Sequence, residues 1–200
     1  MISFEHWLVI LSACITVVGS SIYIRDTLRG TTKPNRVTWS MWALAPILGT
    51  VVALSAHADP WATSRTFLAG FLPLVVFIVS FFNPRAYWKL TFFDLACGFI
   101  SLIAIILWLT INSSGAALLL LVIADAFACI PTIRKAWHHP ETETGTVWLI
   151  GIVAVLLVFP SIPVWNIENS AFQIYILIAN ITLAFSALRK QIFAFFTKTS

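Results

Sequence analysis

Seven stretches of this 200-residue chain are nearly free of charge for long enough to cross a bilayer, and no other feature restricts the fold as strongly. They lie at about 7–24, 39–56, 66–82, 92–112, 115–133, 148–165 and 171–188. Most hold about 17–21 residues, and at about 1.5 Å of rise per residue such a helix spans a hydrocarbon core of about 30 Å, or nearly so. Membrane-spanning strands would be half as long and would alternate apolar with polar residues, and none of the seven alternates. The chain is 60% apolar and 10% charged, whereas soluble proteins are about half apolar and a quarter charged. The expectation is an all-α membrane protein with seven transmembrane helices.

The charges then set an orientation. Eleven of the twelve basic residues fall in alternate connections or the tail: Arg25, Arg29, Lys33 and Arg36; Arg85 and Lys89; Arg134 and Lys135; and Arg189, Lys190 and Lys198. Only Arg65 falls on the other side. The positive-inside rule places the N-terminus outside and the C-terminus in the cytoplasm of a multi-pass cell (inner) membrane protein. The net charge of +4 is therefore a topology signal and no evidence for nucleic acid. Trp7, Trp39, Trp61, Trp88, Trp148 and Trp165 sit at or just beyond segment ends, where an indole anchors in the headgroup region. Glu5 precedes the first segment and no basic residue does, so that segment reads as a permanent helix and not a cleaved signal. Cys14, Cys97 and Cys129 lie inside apolar segments without metal-ligand spacing and read as small core residues.

The polar stretch 22–39 has a second version 109 positions later, at 131–148. Without gaps, Ile24-Arg25 meets Ile133-Arg134 and Trp39 meets Trp148. The short connection Asn112-Ser113-Ser114 makes the fourth and fifth helices adjacent and antiparallel. The expected organisation is a triple-helix repeat over 1–90, a linker helix over 91–113 and a second triple-helix repeat over 114–200. An odd linker leaves the two repeats parallel, related by an axis along the membrane normal.

Two phrases carry a resemblance: Tyr23-Ile-Arg-Asp-Thr-Leu-Arg-Gly-Thr-Thr-Lys-Pro-Asn-Arg-Val-Thr-Trp39, and Ala124-Asp-Ala-Phe-Ala-Cys-Ile-Pro-Thr-Ile-Arg-Lys135 with the downstream Pro140-Glu141 and Glu143. A triple-helix unit with such an elbow, repeated around a linker helix, resembles the SWEET and PQ-loop transporters in a distant bacterial-type form. The Pro-Gln pair of that group stands here as Pro131-Thr132 and Ile22-Tyr23. The resemblance implies a transporter whose solute crosses between the triplets by alternating access. It also implies a coupling acid in the second repeat, where Asp125 is similarly placed, and a pocket asparagine on the seventh helix, where Asn180 stands.

The residues make their own case for Asp125. It lies about ten residues, or roughly 15 Å, into the fifth helix, close to the midplane. A carboxylate there costs on the order of 2.5–3.5 kcal/mol, so it should face the bundle interior or a wet cavity. Pro131, six residues on, frees the carbonyl of Phe127 and loosens the helix. A structural carboxyl bonded to a neighbouring helix is the plainer alternative. The equivalent position in the first repeat is Thr16, so a coupling site there would be one-sided. Asn180 needs partners at its depth, in another helix or in a solute. Trp42 and Thr50 on the second helix could line the same cavity, with an interfacial anchor as the other reading of Trp42. Pro46, Pro73 and Pro160 interrupt helices two, three and six as hinges or simple kinks. Tyr23, Arg25, Asp26, Pro34, Pro131, Arg134 and Lys135 form the elbows, with Asp26 pairing Lys135 or Arg134 as a candidate cytoplasmic gate. Asp94, near the start of the fourth helix, can pair with Lys89 or Arg85.

No phosphate loop is present, which disfavours an ATP-driven pump. His138-His139 with Glu141 and Glu143 converges poorly on a metal. We expect no cofactor, no metal and no enzymatic activity. The leading expectation is a secondary transporter or facilitator of a small polar solute, with Asp125 as the candidate for proton coupling. The alternative is a seven-helix sensor without transport.

Overall fold

The computed structural model describes residues 4–55, 57, 60–111, 113–162 and 164–198. Asn112 and the side chains of Glu5, Trp61, Ser114 and Lys198, used in the sequence reading, lie outside the described residues. Among the described residues the regular structure is all helix, with no strand: α1 (Phe4–Arg29), α2 (Arg36–Ser55), α3 (Pro60–Val79), α4 (Phe92–Thr110), α5 (Ser114–His138), α6 (Gly145–Val158) and α7 (Ile167–Lys198). Five helices are long and apolar enough to cross a membrane; α3 and α6 carry shorter apolar stretches, Thr63–Val79 and Gly145–Ser161. The surface agrees with that reading. Large apolar side chains such as Leu54, Phe99, Ile106 and Ile178 face outward, while Asn35, Thr38, Thr132 and Lys135 are buried. Water would not tolerate so much exposed apolar area, and lipid does.

The helices differ from the expected segments mainly in being longer at the elbow end. α1 runs on to Arg29 and α5 through Pro131 to His138, so Tyr23, Arg25, Asp26, Arg134 and Lys135 are helical and the true connections are short. Gly30, at φ +75°, ends α1 in the left-handed region that favours glycine. Asn83 donates to the carbonyl of Leu28 at 2.8 Å and closes that helix end. Asn35 caps α2 by accepting from the N–H groups of Val37 and Thr38. Pro160 is a further correction: α6 stops at Val158, and the proline lies in a 3-10 turn beyond it, ending the helix where a mid-helix break was expected.

Asp94 does not reach for Lys89 or Arg85. It accepts from the backbone N–H and hydroxyl of Thr91 at 2.7 and 3.0 Å, and its own N–H returns to the threonine hydroxyl in a capping box.

Packing follows a reciprocal pattern. α3 packs against both α1 and α2, and α7 against both α5 and α6. Between the two groups, α1 packs on α6 and α2 on α5, while α4 lies against α5 and α2. Where α1 meets α6, the buried Ser12 donates to the carbonyl of Ala154 at 2.7 Å.

Candidate functional site

A cavity of about 680 Å³ lies among α2, α3, α4, α5, α6 and α7, and both Asp125 and Asn180 line it. Two helices bring polar side chains from one direction. Asn169 stands in the first turn of α7, Arg65 just over a turn into α3 and Gln173 two turns into α7, so the wall begins near the ends of the helices opposite the elbows. Asp125 lies deeper, with Asn180, Trp42 and Trp148 nearer the elbow end.

Asp125 is held by the neighbouring helix. The phenol of Tyr175 on α7 donates to its carboxylate at 2.6 Å. The indole of Trp42 also interacts with that carboxylate, although its N–H makes no hydrogen bond of ordinary geometry. Trp42 thus contributes an oriented dipole and not a full bond.

Asn180 depends on a glycine. Its amide N–H donates to the carbonyl of Ile176 at 2.8 Å, and its carbonyl oxygen rests over Gly151 of α6, where a Cβ would collide with it. Pro46 and Pro73 lie on the cavity wall, and their missing N–H groups free the helix carbonyls of Trp42 and Ala69, themselves wall residues. Ser101, Ile105 and Trp108 show that α4 closes one flank.

Two expected residues stand elsewhere. Thr50 is buried with its hydroxyl on the carbonyl of Pro46 at 2.8 Å, off the cavity wall. Thr16 is exposed on α1 and donates to the carbonyl of Ser12.

Toward the elbow end the cavity is stopped by aromatic rings. Trp39, Trp42, Trp148 and Tyr23 pack with centroids 4.7–6.3 Å apart. Trp39 and Trp148 are buried, which corrects their reading as interfacial anchors. Trp7 and Trp165 do sit exposed.

Beyond this plug lies a polar seam between the two elbows. Lys135 and Glu143 form an ion pair at 2.5 Å with both side chains almost wholly buried. Tyr23 donates to both oxygens of Glu143, at 3.0 and 3.2 Å, and Lys135 also donates to the carbonyl of Lys33. Thr132 donates to Thr38 at 2.9 Å, Thr144 to Asp26 at 3.1 Å, and the N–H of Lys33 to the carbonyl of Thr142 at 3.0 Å. Thr32 and Thr144 share a short hydroxyl contact. Pro34 and Pro131 are buried beside it.

The expected pairing of Asp26 with Lys135 or Arg134 is therefore corrected. Asp26 pairs with its own neighbour Arg25 at 2.8 Å, Arg134 lies over the ring of Phe93 at 4.6 Å, and Lys135 is taken by Glu143. The exposed Glu141 sits outside this seam; a backbone N–H bond, then His139, holds its carboxyl below the ordinary range.

Sequence reasoning missed Glu143 and Tyr175 as partners. The acids Glu141 and Glu143 close after Arg134 and Lys135 in the second elbow were a usable signal for Glu143. For Tyr175 the signal was depth, since it lies about as far into α7 as Asp125 lies into α5.

Comparison of the chain with protein families, characterised proteins and solved structures finds no match in any of the three.

Proposed function

We propose that this protein is a secondary transporter that moves a small polar solute by alternating access, with Asp125 as the carboxylate that takes up the coupling proton. One observation carries the reading. Asp125 and Asn180, from different helices, line a single cavity that reaches the helix ends on one side and is stopped by the Trp39–Trp42–Trp148 plug on the other.

The reciprocal packing supports a three-plus-one-plus-three arrangement. α1–α3–α2 and α5–α7–α6 have the same order, they meet through α1 on α6 and α2 on α5, and α4 lies outside the exchange. Two such bodies can rock about a midplane site. The present arrangement has its elbow end closed, and the positive-inside rule makes that end cytoplasmic in the cell membrane, with the N-terminus outside.

The test is solute flux into proteoliposomes of the purified chain under an imposed proton gradient. Gradient-driven accumulation that Asp125→Asn abolishes supports the proposal. Solute binding to the wild-type chain with no flux in either direction overturns it in favour of a sensor.

A further inference from the structure

Arg65 is the one basic residue outside the elbow-side set, and its place in the structure gives it a use. It lies on the cavity wall and makes no ion pair among the described residues. Asp125 is the only acidic residue lining the same cavity among them. The cavity thus presents one cation and one anion, on separate helices.

Their difference in depth follows from helix rise. Arg65 lies five residues into α3 and Asp125 eleven into α5, and both helices start from the same end of the bundle. At about 1.5 Å per residue the two differ in depth by roughly 9 Å. A small ammonium-to-carboxylate molecule with a close contact at each end bridges a depth difference of that order.

The deep end also discriminates between ammonium heads. Asp125 accepts one hydrogen bond, from Tyr175, and the large side chains beside it at this end of the cavity, Trp42 and Trp148, are aromatic. The rings of Trp42 and Trp148 meet at 69° with centroids 6.0 Å apart, forming an aromatic corner on the wall. A carboxylate beside aromatic rings attracts a cation by charge and by the ring quadrupole, with no donor needed.

We infer that the cavity takes a small zwitterion with a methylated ammonium head, the head against Asp125 and the Trp42–Trp148 corner and the anionic end toward Arg65. This rests on the reading of the cavity as a solute site. The ammonium head and a proton compete for one carboxylate, so they occupy it in turn.

The test is equilibrium binding of radiolabelled glycine betaine, choline, glycine and glucose to the full chain in lipid nanodiscs. Glycine betaine binds saturably and more tightly than the other three. Arg65→Gln weakens glycine betaine by about fivefold, the equivalent of about 1 kcal/mol for one solvent-accessible charge contact, and leaves choline unchanged. Arg65→Lys restores the preference, and an unchanged melting temperature shows that both variants fold. Tighter binding of glucose or glycine, or equal weakening of choline and glycine betaine by Arg65→Gln, overturns the inference. The two readings fail separately: betaine binding without flux removes transport and keeps the zwitterion site, whereas glucose flux without betaine binding does the reverse.

Discussion

The ammonium of Lys135 and the carboxylate of Glu143 lie 2.5 Å apart with almost no exposure, and the hydroxyl of Tyr23 completes the carboxylate's shell from α1. Three segments thus depend on one charge pair. Desolvating two charges costs several kcal/mol per ion before any attraction is counted, so the pair is a device for joining the elbows and not a cheap source of stability.

Removing one partner should therefore be severe. Lys135→Met leaves Glu143 buried without its counter-ion and is expected to lower stability by about 3–5 kcal/mol. Lys135→Met combined with Glu143→Gln should recover much of that loss, because the amide still accepts from Tyr23. Thermal melting in a mild detergent measures both.

The seam should also control access. In a chain with Cys14, Cys97 and Cys129 replaced, Gln173→Cys on the cavity wall is expected to react with an impermeant thiol reagent added from the side opposite the elbows. Thr38→Cys, fully buried in the seam, should react from neither side until Glu143→Gln is added, and then from the elbow side. Site-specific labelling in oriented vesicles reports each case.

Asp125→Asn is isosteric and keeps an acceptor for Tyr175, so the melting temperature should change little while coupled flux is lost. Tyr175→Phe should keep flux at a reduced level, since the carboxylate remains. Flux in proteoliposomes, alongside melting curves, separates the two.

Gly151→Ala pits two effects of similar size. A Cβ there displaces the Asn180 carboxamide from its place over the glycine and disturbs its bond to Ile176, a loss of about 1 kcal/mol. Alanine in a helix returns about 1 kcal/mol relative to glycine. The melting temperature should hardly move, yet solute affinity should fall. A normal affinity would show that Asn180 does not contact the solute.

The helical class, the membrane character and the elbow-side concentration of charge were legible in the chain because they depend on local quantities: run length, hydropathy and the placement of Lys and Arg. Asp125 was legible for the same reason, since an acid at the middle of an apolar run is costly wherever it points. Asn180 was pointed to by the resemblance and Trp42 by one of two readings, and both line the cavity with Asp125, whereas Thr50, named alongside Trp42, and Thr16, the repeat equivalent of Asp125, lie off that wall. Depth along a helix could be counted; the direction a side chain faces could not.

What the sequence determined alone is the solvent each segment lives in, because transfer from water to lipid is summed residue by residue. The partners were decided by tertiary structure. Glu143 reaches Lys135 and Tyr23, Tyr175 reaches Asp125, and Trp39 meets Trp148 only after helices far apart in the chain have packed. A buried polar group must find its counterpart within hydrogen-bond distance, and that choice depends on which helix faces converge.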